Sequence, residues 1–240
     1  MFSIQYLLTY NIKVTKLYFR QILFDKTMIV LIGGEKGGAG KSTIACNLSA
    51  FLAYRKKDVL LLDADPQKTS SAWSYRRNLI IEQDLPKPHN SEKTGDIYNA
   101  VLDCAQRYEY VVIDSGGRDS KELRSALIVA DVLYTPIKPS QIDIDTLGKM
   151  NELVEHASSL NKKLKSYSLI THAPTNPNMD DKKETQEILS KIPNFISSNI
   201  VISYRSCYWR TMGRGLSVFE YNDDKAKNEF LALGTEVFGL

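Results

Sequence analysis

The sequence predicts an α/β protein, a single domain whose mostly parallel, twisted sheet carries helices on both faces. Three observations support this. From Met28 onward, short apolar runs alternate with helical patterns, the order produced when helical crossovers join parallel strands. The runs are continuously apolar, as expected of strands covered on both sides. Between the first run and the first helical pattern lies a glycine-rich stretch, Gly37-Gly38-Ala39-Gly40-Lys41-Ser42-Thr43.

Residues 1–27 stand outside the alternation. Phe2, Tyr6, Tyr10, Tyr18, Phe19 and Phe24 interleave with Lys13, Lys16 and Arg20, and no acid occurs before Asp25. The stretch lacks the ordered regions of a signal peptide. Because Met28 opens the first strong strand, the expectation is an extension upstream of a natural start at Met28, followed by one domain over 28–240. An interfacial or partner-binding arm is the alternative.

The first strand is expected over 28–33, and the following helix over 42–54 places Ile44, Leu48, Phe51 and Leu52 near one face. A strand over 59–62 comes next, then a polar loop over 85–95 containing Pro86 and Pro88. A strand over 110–113, a helix over 120–129 and a strand over 132–136 follow. The helix over 145–160 has Leu147, Met150, Leu153 and Val154 at helical spacing. Beyond it are a strand over 167–171, a loop over 173–179 and a strand over 199–202. The last helix, over 223–238, has Asn222 and Asp223 as capping candidates.

Composition narrows the function classes. With 43% apolar residues among 240, and 31 basic against 28 acidic residues for a net charge of +3, the chain is an ordinary globular one, too balanced to argue a nucleic-acid partner from charge alone. The longest apolar runs fall far short of the ~20 residues that span a bilayer, so no transmembrane segment is expected. Cys46, Cys104 and Cys207 are odd in number and far apart, which indicates neither a disulfide framework nor a zinc site and fits a reducing cytosol. His89, His156 and His172 lack ligand spacing.

The chemistry concentrates in the glycine-rich stretch. Gly37, Gly38 and Gly40 leave the backbone bare, so amide N–H groups around Ala39 can turn onto phosphate oxygens, and the helix beginning at Ser42 adds its positive end. Lys41 is placed to reach the β and γ phosphates of ATP and the Ser42 hydroxyl to ligate Mg²⁺, with Thr43 completing the loop. One feature departs from the common pattern: Glu35 stands where a glycine is expected, followed by a second lysine, Lys36. Acids also end two strands, Asp63 in Leu62-Asp63-Ala64-Asp65-Pro66-Gln67 and Asp114 in Ile113-Asp114-Ser115-Gly116-Gly117, where open α/β sheets hold ligands.

The run Lys36-Gly37-Gly38-Ala39-Gly40-Lys41-Ser42-Thr43 resembles the deviant Walker A motif of the ParA and MinD family of P-loop ATPases. Segments 114–124, 139–145 and 215–220 also resemble ParA segments, so the likeness spans roughly 28–238, nearest to the short ParA proteins of plasmid and chromosome partition. The resemblance implies a P-loop NTPase fold, weak partner-stimulated ATPase activity, and an ATP-dependent homodimer in which Lys36 reaches the partner subunit's nucleotide. It implies that Asp63 lies near the attacking water, that Asp65 fixes a turn, that Asp114 holds Mg²⁺, and that Thr171 and the loop through Pro174 lie near the adenine. It further implies non-specific binding to double-stranded DNA, release by a ParB-type centromere-binding protein, and a cytoplasmic, nucleoid-associated location.

For DNA, the interval 203–214 offers Arg205, Arg210 and Arg214 with no acid, Arg205 being the best match to the family's DNA-contacting arginines. Ion pairing of these arginines to acids such as Glu220 or Asp223 is the competing reading. Tyr204, Tyr208 and Trp209 are expected in the core or at a dimer contact. A MinD-like membrane-positioning ATPase shares every ATP motif, but the segment 228–240 has two acids and no basic residue for a lipid surface. A conjugation-accessory positioning ATPase is the other alternative. An iron protein would need cysteines near the switch, and none lies between Asp114 and Cys207.

Overall fold

The computed structural model describes residues 27–82, 84–175 and 181–240. The expectations for residues 1–26, and for positions 176–179 of the second loop, lie outside them. The chain runs β1 (Met28–Ile32), α1 (Lys41–Tyr54), β2 (Val59–Ala64), α2 (Thr69–Leu79), β3 (His89–Glu92), α3 (Tyr98–Cys104), β4 (Tyr110–Ser115) and α4 (Lys121–Val129). It continues as β5 (Val132–Ile137), α5 (Gln141–Leu160), β6 (Lys165–Ala173), α6 (Asp181–Leu189), β7 (Ile196–Ser203), α7 (Ser206–Met212), a 3₁₀ turn (Val218–Glu220) and α8 (Asp224–Phe238).

The strands form one seven-stranded sheet in the order β3-β2-β4-β1-β5-β6-β7, and every pairing is parallel. Alternate residues serve opposite cores: Ile29 and Leu31 join Leu123, Leu147 and Met150 on one face, while Val30 and Ile32 join Ile44, Phe51, Trp73 and Phe230 on the other. Burial on both sides is why the runs read as continuous rather than alternating.

Differences from the expected elements have local causes. β3 falls within the expected polar loop; all four of its residues are exposed and it pairs only with β2, so no apolar pattern marks it. α2 was equally silent, since its buried side chains are Ser70, Ser71, Trp73, Ser74 and Arg77. α3, α6 and α7 are short, of 7, 9 and 7 residues, too few turns for a strong apolar period. α5 begins four residues before the expected start because Ser140 caps it, accepting the Asp143 N–H.

Arg77 and Glu220 form a buried ion pair at 2.7 Å, with side chains 1% and 5% exposed. Arg77 also donates to the carbonyls of Pro86 (2.8 Å) and Gly215 (3.1 Å). Glu220 accepts from Tyr54 and Ser217 as well, so every charged atom is matched, which a buried pair needs if it is to avoid a large desolvation cost. Gly215, at φ +71°, lies against the backbone: a Cβ there would sit 2.4 Å from the Arg77 nitrogen.

Gly234 of α8 meets the Phe51 ring, and a Cβ would lie 2.5 Å from two ring carbons. The Gly234→Ala variant is expected to lose stability despite alanine's better helix propensity, because overpacking costs about 1–3 kcal/mol against a gain of about 1. A melting temperature lower by about 2–6 °C in a thermal scan is the expected result; an unchanged or raised value would mean that the Phe51 ring moves aside freely.

Candidate nucleotide and metal site

The glycine-rich loop leaves the carboxyl end of central β1 and turns into α1. Gly38 at φ +71° and Gly40 at φ +92° adopt left-handed conformations that a side chain disfavours. The loop is tied to the rest of the sheet through the Thr171 hydroxyl of β6, which donates to the Ala39 carbonyl at 3.0 Å. Lys41 is only 6% exposed, and its Nζ donates to the Lys36 carbonyl at 2.7 Å. Burial lowers its pKa, while the charges of Asp114 and Asp65 act the other way. Two of its three donors remain for phosphate. The Lys36 side chain is half-buried and has no hydrogen bond or ion pair among the described residues.

Gly37, Gly38, Gly40, Lys41, Ser42 and Thr43 line an open cleft together with Asp65, Gly116, Gly117 and Arg118. Gly117 lies directly on the phosphate loop, since a Cβ there would fall 2.9 Å from the Gly37 nitrogen.

Asp63 and Asp114 are cross-strand neighbours on β2 and β4, yet their surroundings differ. Asp63 is 1% exposed; its Oδ1 accepts the Asp65 N–H at 3.1 Å and its Oδ2 the Ser71 N–H at 2.7 Å. It therefore fastens the turn and the first turn of α2, and does not line the cleft. Asp65 lines it instead. The cleft lining thus includes Asp65 and not Asp63. The cause is strand length: β2 continues through Ala64, so Asp63 is a sheet residue and Asp65 is the first acid beyond the strand.

Asp114 is fully buried, and neither of its carboxylate oxygens is hydrogen-bonded. Burial pushes its pKa up to about 7, the Asp63 charge adds to this, and the Ser42 and Ser70 hydroxyls oppose it. An unpartnered buried carboxylate influenced by the Ser42 hydroxyl suits a hard cation with oxygen ligands. No group of three or more His, Cys, Asp or Glu side chains able to hold a metal occurs among the described residues, so such an ion would complete its shell with phosphates and water, as Mg²⁺ commonly does.

Beside the loop, a small apolar cleft is lined by Ala39, Gly40, Thr43, Ile44, Thr171, His172, Tyr204, Arg205, Tyr208, Trp209 and Phe230. Its aromatic walls and its adjacency to Gly40 and Thr43 fit a planar base attached to phosphates held by the loop. Thr171 belongs to this wall; Pro174 is not among the lining residues. Arg205 is here too, only 17% exposed and paired to Glu229 through Nε (3.1 Å) and Nη2 (2.8 Å), while Tyr208 donates to the other Glu229 oxygen. The Glu229 carboxylate holds it beside the loop, an ion pair of the kind weighed against DNA contact, with Glu229 as the acid in place of Glu220 or Asp223. Arg210 and Arg214 are exposed, with no ion pair among the described residues. The sequence reading gave Asp65 only a turn-fixing part and Tyr204, Tyr208 and Trp209 a place in the core or at a dimer contact, and singled out no part for Arg118; the structure puts Asp65 and Arg118 on the lining of the first cleft and the three aromatics on that of the second.

A family model described as ATPase MipZ matches residues 28–189. The chain is 26% identical over 197 residues to the Maintenance of carboxysome distribution protein A of Halothiobacillus neapolitanus, covering 82% of this chain and 88% of that one. Among solved structures, a Cyanothece McdA variant in complex with ATP superposes with a TM-score of 0.69 at 16% identity, covering 90% of this chain and 97% of the other. A putative plasmid partition protein of Borrelia burgdorferi bound to AMPPNP gives 0.65 at 22% identity, covering 88% and 99%. At these identities the structural likeness speaks to the fold.

Proposed function

Since this chain belongs to the MipZ, ParA and MinD family of P-loop ATPases, we propose that it is an ATP-dependent dimerising switch that holds duplex DNA without sequence preference and lets go when a ParB-type partner stimulates hydrolysis. The observation that carries this reading is the paired-lysine loop. Lys41 is buried and engaged with the loop's own backbone, whereas the Lys36 ammonium has no partner among the described residues and is available to a second subunit's nucleotide.

Within each subunit the loop amides and Lys41 hold the β and γ phosphates, and the cleft beside Thr171 takes adenine. Asp65, which lines the same cleft as Lys41, orients the attacking water. Asp114 and Ser42 would hold Mg²⁺, which supplies charge neutralisation on the phosphate oxygens. Catalysis of this kind rests mostly on positioning and electrostatics.

Arg210 and Arg214 carry the DNA part of the proposal, as exposed guanidinium groups free to neutralise phosphates. Replacing both with alanine is expected to weaken ATP-dependent retention of duplex DNA and to reduce the slope of log affinity against log salt by about 2, leaving ATP binding intact. A salt-dependent binding curve that superposes on wild type would remove them from the interface. Sedimentation with and without ATP tests the switch itself, and a protein that stays monomeric with ATP would sink it.

A membrane-positioning role is less well supported. The apolar side of α8, comprising Ala226, Phe230, Leu233 and Val237, is buried in the core and not presented to lipid, and no helix of the described residues is long and apolar enough to cross a membrane. The cargo is a property of the partner, with a nucleoid location following from duplex binding. The relatives' names, which speak of carboxysomes in one case and plasmids in another, fit a common motor serving different loads.

A further inference from the structure

We propose that Arg118, in the loop after β4, is a catalytic arginine that supplies positive charge to the γ-phosphate from within the same subunit. The inference rests on the ATPase reading of the cleft and adds a residue to it.

Arg118 lines the same cleft as Lys41 and Ser42 and is exposed. The acids around it have other partners. Asp119, next in sequence, is gripped by Arg124 through two hydrogen bonds of 2.6 and 2.7 Å. The Glu122 carboxylate accepts the Gly95 N–H at 2.5 Å, and Asp65 Oδ1 accepts the Gln67 N–H at 2.9 Å. No ion pair of Arg118 itself is found among the described residues. A guanidinium without a carboxylate, beside a loop whose amides and lysine bind phosphate, is suited to an anionic ligand.

The backbone fixes its position. Gly117 approaches the Gly37 backbone so closely that a Cβ would be 3.0 Å from the Gly37 Cα, so the residue after it emerges at the mouth of the phosphate loop. On the other side, Ser120 caps α4 by accepting the Leu123 N–H, which leaves Arg118 on a short span between two anchors.

During hydrolysis the water oxygen forms the new bond to the γ-phosphorus. The bond from that phosphorus to the β–γ bridging oxygen breaks with its electron pair going to ADP, and one water proton is released as inorganic phosphate forms. Negative charge grows on the β–γ bridging oxygen in this step while that of the transferred group is spread over its three other oxygens, and Arg118 counters it there.

The test compares Arg118→Ala and Arg118→Lys with wild type, using single-turnover hydrolysis at saturating ATP, binding of a non-hydrolysable ATP analogue, and binding of ADP with aluminium fluoride. Because Arg118 is exposed, folding is expected to be unaffected, checked by thermal melting. Arg118→Ala should slow hydrolysis by about 100-fold and lose ADP–aluminium fluoride binding, while analogue affinity and the ATP-bound dimer stay within about threefold, an amount below the fivefold that ~1 kcal/mol would produce. Arg118→Lys should recover part of the rate. A hydrolysis rate within twofold of wild type overturns the proposal. So does a parallel loss of analogue binding or of the dimer, which would make Arg118 a binding or assembly contact; failure of the wild-type protein to hydrolyse ATP at all would instead refute the underlying ATPase assignment.

Discussion

Lys41→Ala is expected to lose ATP affinity by at least tenfold, because removing a charged donor from a buried polyphosphate site costs about 1.5–3 kcal/mol. The nucleotide-free variant should melt within a few degrees of wild type. Lys41 is 6% exposed and burial lowers its pKa, so its removal also relieves the cost of burying an ammonium, which offsets the lost bond to the Lys36 carbonyl. The measurement is the rise in melting temperature on adding ATP and magnesium: large for wild type, close to zero for the variant. An undiminished rise would show that the loop amides alone hold the phosphates and that Lys41 serves only its own loop.

A second pair of substitutions separates two aspartates that lie two residues apart. Asp65→Ala should reduce hydrolysis by about 100-fold or more while preserving the ATP-bound dimer and the melting temperature, since it removes a group that faces the cleft and leaves only the exposed Gln67 N–H without its acceptor. Asp63→Ala should instead destabilise the fold by about 2–5 kcal/mol, because the backbone N–H groups of Asp65 and Ser71 would both lose their acceptors at a buried position. Denaturant titration and single-turnover hydrolysis on both variants decide the matter. A stable Asp63→Ala protein that binds ATP and fails to hydrolyse it would return the catalytic role to Asp63.

The parts of this fold that declare themselves in sequence are those whose energy comes from apolar burial. β1, β2, β4 and β5 are visible because both sides of each strand are covered, and α1, α5 and α8 because a full apolar side faces the sheet. β3 is held by backbone hydrogen bonds at the sheet edge, and α2 by small serines, one tryptophan and a buried ion pair; neither force leaves a periodic pattern. In the site, the phosphate loop was legible because its backbone geometry demands glycine at fixed positions. The identity of the cleft-facing aspartate was not, because it depends on where β2 stops, two residues later than its apolar run suggests. Nor could sequence reveal that Glu229, 24 residues after Arg205, would claim that arginine.

The buried pair of Arg77 and Glu220 has a mechanical meaning. The first turn of α2 is fastened to Asp63, and its later turns grip Gly215 and Glu220, directly after the exposed Arg214. Breaking a buried, matched charge pair costs several kcal/mol, so α2 and the 215–220 segment, which leads on from the exposed Arg214, are clamped together at this point.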